Sequence, residues 1–210
     1  MNDVRLRPQL THDLSANLWC AGGSPESVAV IAANDVNPLI IPTQSLDVSL
    51  NVARTYVRLR DAAGHGTSAH TKLALWTYVA ETEDEARAGA EQYMCEYSDS
   101  ALRHYELLGD HLKDVKGYES YAGMQATMNQ PGGVDAMVEF FLGLQIWGTP
   151  EQCYDKIVNC TNRCGADTFT GVFSYGDMPF EYAEKNLRTF ASKVMPELKA
   201  YQRKTAMAAE

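Results

Sequence analysis

The sequence predicts an α/β protein in which parallel strands alternate with helices, and two observations support this prediction. Short apolar runs recur at about 17–21, 38–42, 72–80 and 167–174, and each is followed by a segment with helical periodicity. Several of these segments open with Ser-Pro, Thr-Pro or Thr-x-x-Glu, which are helix start signals. About four strands are therefore expected in a parallel sheet, whose ligand sites lie at the carboxyl ends of the strands.

Composition limits the classes of partner. The chain of 210 residues can form one domain with a large core. Its formal net charge of −9 argues against nucleic acid or an anionic membrane as a partner, because no run of Lys and Arg offsets the acidic excess. The most apolar stretch, residues 134–147, carries two acidic residues and is too short to span a bilayer. We expect a cytoplasmic protein with a small-molecule substrate, no nucleic acid and no membrane.

The pattern divides the chain into three parts. Residues 1–16 are polar and are predicted to be a lead-in, 17–200 to form the domain, and 201–210 to be a frayed tail. Within the domain, a stretch at about 98–146 interrupts the alternation and is predicted to be a helical insertion. Such insertions form pocket walls or pack on the outside, and the sequence does not distinguish the two.

The first helix has a start that suits an anion. Ser24 is a good N-cap, Pro25 suits the first helical position, and Ser27 adds a second hydroxyl three residues after Ser24. Gly22 and Gly23 would let an oxyanion approach the positive end of the helix dipole. These residues alone leave two interpretations open, namely a phosphate site and an ordinary capped helix without a ligand.

The cysteines and histidines do not indicate a metal site. Cys153, Cys160 and Cys164 recur on one helical face without a CxxC pair or a nearby His, which is typical of core packing. His65 and His70 lie in a Gly-rich loop without an evident carboxylate partner and are predicted to be solvated. In the last helix, the predicted core-facing residues are Ala183, Leu187, Phe190 and Val194.

Three segments, taken in this order and spacing, resemble the bacterial luciferase-like flavin-dependent monooxygenases over about residues 15–200. They are Ser24-Pro25-Glu26-Ser27 with its Ala-rich helix, Gly148-Thr149-Pro150-Glu151-Gln152, and Tyr175-Gly176-Asp177-Met178-Pro179 leading to Val194-Met195-Pro196. The family more commonly has Gly-Gly-Met-Pro where this chain has Gly176-Asp177-Met178-Pro179, which leaves the role of Asp177 open.

The resemblance implies a fold, a cofactor and a reaction. It implies a (β/α) TIM-barrel type of domain that uses reduced FMN and O2 to oxygenate a small organic substrate, with a separate flavin reductase as a further partner. Matched residue by residue, it implies that Gly23, Ser24 and Ser27 bind the flavin phosphate. Four aromatic residues could contact the flavin ring or simply pack in the core: Trp76, Tyr78, Trp147 and Tyr175.

The strand count implies that the barrel is incomplete. A closed barrel of this type needs eight strands, whereas this chain offers about four and resembles the family's C-terminal half. The catalytic residues of the family's first half have no counterpart here, so the catalytic residues are unknown. Strands at 17–21 or 72–80 and at 167–174 would have open edges, which predicts a homodimer or a partner chain. Two alternatives remain, a truncated non-catalytic remnant or partner subunit with weak flavin phosphate affinity, and a deazaflavin-dependent oxidoreductase of the same superfamily.

Overall fold

The computed structural model describes residues 7, 11–14, 17–106, 109, 111, 115 and 119–201. The predicted lead-in and tail fall largely outside these ranges, as do most of residues 107–118 of the predicted insertion.

Strands and helices alternate along the described chain, as the periodicity predicts. The strands are β1 (Trp19–Ala21), β2 (Asn37–Ile40), β3 (Lys72–Val79), β4 (Ile146–Gly148) and β5 (Thr168–Val172). The helices are α1 (Pro25–Ala33), α2 (Leu46–Ala62), α3 (Glu83–His104), α4 (Glu119–Met128), α5 (Gly133–Leu144), α6 (Pro150–Cys164), α7 (Phe180–Thr189) and α8 (Met195–Ala200), with a π-helical turn (Phe190–Val194) joining the last two.

All the strand pairs are parallel, which confirms the predicted α/β class. β3 is central: Lys72 and Leu73 pair with β2 on one side, and Lys72 to Trp76 pair with β5 on the other. The last residues of β3 pair with β4. The prediction that 72–80 could be an open edge is therefore wrong, because the longest strand has neighbours on both sides. β1 and β5 each pair with one strand among the described residues.

The described residues contain five strands where about four were predicted, and β4 is the additional one. β4 has only three residues, and it follows the apolar helix α5 after a single residue, Gln145. Its side chains continue the apolar run of that helix, so no change of periodicity marks where the helix ends. Likewise, α3 continues past Ser98 to His104, so regular structure extends into the predicted insertion.

Helices cover both faces of β3. Alternate residues of the strand point to opposite faces, and they pack into two separate core clusters. One cluster includes residues of α2 and α6, and the other includes residues of α3 and α5. The insertion therefore packs directly on the sheet near β3. The residues concerned are Leu73, Leu75 and Val79 on the first face, and Trp76 and Tyr78, with Ala80 just after the strand, on the second.

The last helix differs from its predicted core face at one position. Ala183, Phe190 and Val194 are buried as predicted, whereas Leu187 is 49% exposed and Asn186, one residue earlier, is buried instead. The π-helical turn precedes Pro196, which cannot donate a hydrogen bond to the carbonyl four residues before it and crowds that carbonyl. The local widening thus lets the helix continue past a proline.

Within the described ranges, we find no helix that combines the length and the apolar character needed to cross a bilayer.

Candidate functional site

The first candidate site is the turn between β1 and α1, at the carboxyl end of β1. Ser24 is the N-cap of α1, with extended backbone (φ −74°, ψ 151°), and Pro25 occupies the first turn. The Ser24 hydroxyl oxygen accepts a hydrogen bond from the N–H of Ser27 at 3.2 Å. The same hydroxyl donates to Oγ of Ser27 at 3.0 Å. In this arrangement the Ser27 hydroxyl proton remains free to donate to a ligand.

The two glycines before Ser24 have different surroundings. A Cβ added at Gly22 would lie 2.9 Å from Cβ of Ser27, so Gly22 lets the turn pack tightly against the helix start. A Cβ added at Gly23 would meet no atom within 4 Å, so its backbone faces open space. The turn is thus compact on the side of Ser27 and accessible at Gly23.

The residues of this turn fit a phosphate group in part. Hydroxyls and backbone N–H groups at the start of a nine-residue helix are suitable donors. The charge balance is less favourable, because Glu26 lies in the same first turn and is exposed. Among the hydrogen bonds and ion pairs of the described residues, none brings a Lys or Arg side chain to this turn. A phosphate dianion would therefore need a cation from elsewhere.

Three of the four aromatic candidates pack in the core. The Trp76 ring lies 4.7 Å from that of Tyr97 and 5.4 Å from that of Phe141, centroid to centroid. Tyr175 is 6% exposed and its hydroxyl donates to the carbonyl of Thr77 at 3.3 Å. The ammonium of Lys156 lies over the Trp147 ring, 4.1 Å from its centroid. Their positions are therefore those of structural residues.

Tyr78, the fourth aromatic candidate, lines a cleft at the carboxyl end of β3. The cleft lies between α3 and α7 and has a volume of about 240 Å³. Sequence reasoning missed it, because it depends on two helices that are far apart in the chain. Its lining is formed by the end of β3 and the residue after it (Tyr78, Val79, Ala80), by α3 (Glu85, Ala88, Gly89, Gln92, Tyr93) and by α7 (Tyr182, Lys185, Asn186).

Asn186 is a buried polar residue. Its side chain bonds the backbone of β3 where that strand extends beyond its pairing with β5. Its Oδ1 accepts from the N–H of Val79 at 2.9 Å, and its Nδ2 donates to the carbonyl of Thr77 at 2.7 Å. Nδ2 also contacts the carbonyl of Phe173 at 3.3 Å. A buried backbone edge needs such partners, so Asn186 fixes the position of α7 against the end of β3.

The turn after β5 packs against α3 and places two carboxyl groups together. Gly176 has φ +60°, and an added Cβ there would lie 3.1 Å from the carbonyl oxygen of Tyr93. This close approach brings Asp177 beside Glu96. A hydrogen bond with Asp177 is the main cause that raises the pKa of Glu96, followed by burial and by repulsion between the carboxylates. Asp177 thus has a defined structural contact.

His70 is exposed, as predicted for a solvated loop residue, but it has a carboxylate partner that was not predicted. Its Nδ1 lies 2.6 Å from Oδ2 of Asp167, and the other oxygen of that carboxylate accepts from the N–H of Thr71 at 3.1 Å. His65 lies 3.9 Å from a carboxylate oxygen of Asp35. These partners are remote in sequence, which is why spacing alone did not reveal them.

The cysteine-rich face of α6 is buried as predicted. Cys153, Cys160 and Cys164 belong to the core cluster on the first face of the sheet. Burial raises the pKa of all three thiols, to about 12 for Cys153 and about 11 for Cys164. These thiols are therefore neutral packing groups. In the described part of the chain, no group of three or more His, Cys, Asp or Glu residues is placed to hold a metal ion.

Comparison with known proteins identifies the family. The model of the luciferase-like monooxygenases matches residues 2–168 of this chain. A search of curated proteins gives no match.

Solved structures share the fold at low sequence identity. Monooxygenase RslO1 from Streptomyces bottropensis is 21% identical, with a TM-score of 0.59 over 86% of this chain and 47% of its own. The oxygenating constituent of 3,6-diketocamphane monooxygenase from Pseudomonas putida, solved with FMN, is 18% identical, with a TM-score of 0.59 over 85% of this chain and 47% of its own. EDTA monooxygenase from Chelativorans sp. BNC1 is 20% identical, with a TM-score of 0.58 over 86% of this chain and 43% of its own.

The present chain thus spans about half the length of these proteins. Its described fold is the parallel α/β arrangement that resembles part of their TIM-barrel type, and the family model matches well over half of its residues. The resemblance inferred from the three motifs is confirmed. The chain belongs to the luciferase-like monooxygenase family.

Proposed function

We propose that this chain is part of a flavin-dependent monooxygenase that uses reduced FMN and O2 to oxygenate a small organic substrate. The proposal rests on family membership together with one structural observation, the paired hydroxyls of Ser24 and Ser27 at the start of α1. The turn lies at the carboxyl end of a parallel strand, where ligands bind in α/β proteins. FMN, when bound, would supply the activation of oxygen.

In this proposal Gly23, Ser24 and Ser27 hold the FMN phosphate. Ser24 orients Ser27 by accepting from its N–H and donating to its hydroxyl, so that Ser27 presents its own proton to a phosphate oxygen. The open backbone at Gly23 permits close approach. The positive end of the α1 dipole adds attraction, worth about 0.3–1 kcal/mol for an exposed anion.

In this proposal a second chain, either a second copy or a different partner, supplies the missing strand pairing and the cation for the phosphate. β1 and β5 each pair with only one strand among the described residues, and an unpaired parallel edge is a template for association. The turn also needs a cation for the phosphate. A non-catalytic partner subunit with weak phosphate affinity is therefore the second candidate function. A separate flavin reductase would deliver the reduced cofactor.

Titration of the purified chain with FMN, followed by flavin fluorescence, tests the proposed site. Ser27→Ala removes the hydroxyl that faces the phosphate and should weaken binding by about 1–3 kcal/mol. Ser45→Ala is the matched control, because Ser45 is the N-cap of α2 but makes no side-chain capping bond. Equal FMN affinity in all three proteins would place the cofactor elsewhere.

Oxygen uptake and light scattering distinguish the candidates. A chain that binds FMN and consumes O2 with reduced flavin supports the monooxygenase. FMN binding without oxygen uptake supports the partner subunit, whereas reduction of a deazaflavin would indicate the oxidoreductase alternative. A measured mass of one chain in solution would contradict the proposed homodimer, and a mixture with a candidate partner chain then tests the other arrangement.

A further inference from the structure

Two residues, Gly89 and Asn186, shape the cleft between α3 and α7. Gly89 leaves room for the Tyr78 side chain, because an added Cβ would lie 2.2 Å from the Tyr78 ring. Asn186 forms part of the lining, and its amide is occupied by backbone groups of β3. Its volume of about 240 Å³ is below the range of typical drug-sized sites, which suits a ligand with a single ring.

Two buried phenols line this cleft with unused hydroxyls. Tyr78 is 9% exposed and Tyr93 is 4% exposed. Within the described residues, no hydrogen bond is found for either hydroxyl, and neither oxygen is among the fully buried unpaired atoms, so both oxygens keep some access to solvent. Burial raises the pKa of both phenols, so both are protonated donors at neutral pH. A ligand with acceptor oxygens would satisfy them.

The lining of the cleft also contains a lysine and a glutamate that form no ion pair with each other. Lys185 of α7 and Glu85 of α3 both belong to the lining and are exposed, and no ion pair joins them in the described structure. Lys185 is an exposed residue of the lining, and its ammonium is the one cationic donor among the described lining residues. Glu85 lies in the first turn of α3, where the helix dipole stabilises its charge.

The aromatic rings provide an apolar wall. The rings of Tyr78 and Tyr93 are 6.1 Å apart, and those of Tyr93 and Tyr182 are 6.0 Å apart, so the three form one continuous surface. Ring pairs at such distances contact each other and leave their outer faces for a further ring.

We propose that this cleft binds a small monocyclic aromatic carboxylate, with the carboxylate held by Lys185 and the two phenol hydroxyls and the ring against the tyrosine wall. The site is separate from the Ser24 turn and does not depend on FMN binding there. It lies at the same carboxyl side of the parallel sheet, two strands away from β1.

Calorimetric titration with benzoate, benzamide and benzylamine tests the ligand class on the intact chain. Benzoate should bind, and benzamide and benzylamine should bind at least about tenfold more weakly, because the first lacks the charge and the second reverses it. Equal binding of benzamide, preferential binding of benzylamine, or no binding of benzoate would each overturn the proposal.

Two variants test the location. Lys185→Met should weaken benzoate about tenfold, and Tyr93→Phe, which removes only the hydroxyl, should weaken it about threefold. Lys199→Met on α8 is the control for the change of charge and should leave affinity unchanged. Thermal unfolding midpoints of all four proteins show whether the variants fold. Folded Lys185→Met protein with undiminished affinity would exclude this cleft.

Discussion

Helices α1 and α6 begin with the same sequence signal but leave different groups free. Each has a hydroxyl N-cap followed by proline, Ser24-Pro25 in α1 and Thr149-Pro150 in α6. At α6 the third helical residue is Gln152, whose side-chain oxygen accepts from the N–H of Thr149 at 2.9 Å and completes a capping box. At α1 the equivalent residue is Ser27, which is too short to reach back in this way.

The comparison shows that the third helical residue decides whether a helix start is closed or open. The Gln152 amide also donates to Glu83 at 3.2 Å, so the α6 start is joined to the neighbouring helix. The Ser27 hydroxyl instead receives a hydrogen bond from Ser24 and keeps its own proton. One start is purely structural, and the other retains donors for an anion.

The largest expected effect concerns stability at the closed start. Changing Thr149 and Gln152 together to Ala removes both reciprocal bonds of the capping box at α6, and should lower the free energy of unfolding by about 1–2 kcal/mol. Ser24→Ala removes one capping bond to backbone, together with the contact between the two hydroxyls, and should cost about 0.5–1 kcal/mol. Urea denaturation of both variants measures the difference. A larger loss for Ser24→Ala would contradict the distinction between the two starts.

A second variant converts the open start into a closed one. Ser27→Gln provides the side chain that forms the capping box at α6 and should stabilise the chain by about 0.5–1 kcal/mol. The same change removes the donor proposed for the phosphate, so FMN affinity should fall while stability rises. The diagnostic result is a higher free energy of unfolding together with a lower FMN affinity, since a merely damaged fold would lower both.

A smaller effect is expected from the acidic residue of the open start. Glu26→Gln removes a negative charge beside the proposed phosphate and should tighten FMN binding by about 0.3–1 kcal/mol at low salt. The gain should shrink as salt is added, because exposed charges are screened. Glu151→Gln, the corresponding change at the closed start of α6, is the control and should leave FMN affinity unchanged.

The smallest effect concerns pH and the turn after β5, where Asp177 contacts Glu96. The pKa of Glu96 is raised in the folded chain, chiefly by the hydrogen bond with Asp177, while Asp99 acts in the same direction and Arg103 opposes it. The resulting stabilisation is present below the unfolded-state pKa and is lost as pH rises through the folded-state pKa. The stability advantage of the parent over Asp177→Asn should therefore decrease with rising pH across that interval. An advantage independent of pH would mean that the pair shares no proton.

The sequence predicted local features better than long-range ones. The starts of α1 and α6 follow from Ser24 and Thr149 because capping involves residues three positions apart. The alternation of strands and helices, and the buried cysteine face of α6, follow from periodicity. Such signals are contained within one segment of chain, so they can be identified before any tertiary structure is known.

The features that sequence reasoning missed depend on contacts between distant segments. The pairing of His70 with Asp167 and the role of Asn186 at β3 join residues about a hundred positions apart. β4 is too short to show a period of two, and only its pairing with β3 defines it. The cleft beside Tyr78 likewise requires α3 and α7 to be placed together.

The most direct test of the open start is the FMN titration of the parent chain beside Ser27→Gln, followed by flavin fluorescence. We expect the parent to bind FMN, and the variant to bind it at least about tenfold more weakly while unfolding at a higher urea concentration. Undiminished FMN affinity in a stabilised Ser27→Gln protein would contradict this expectation, because the helix start would then be closed and the phosphate would be held elsewhere.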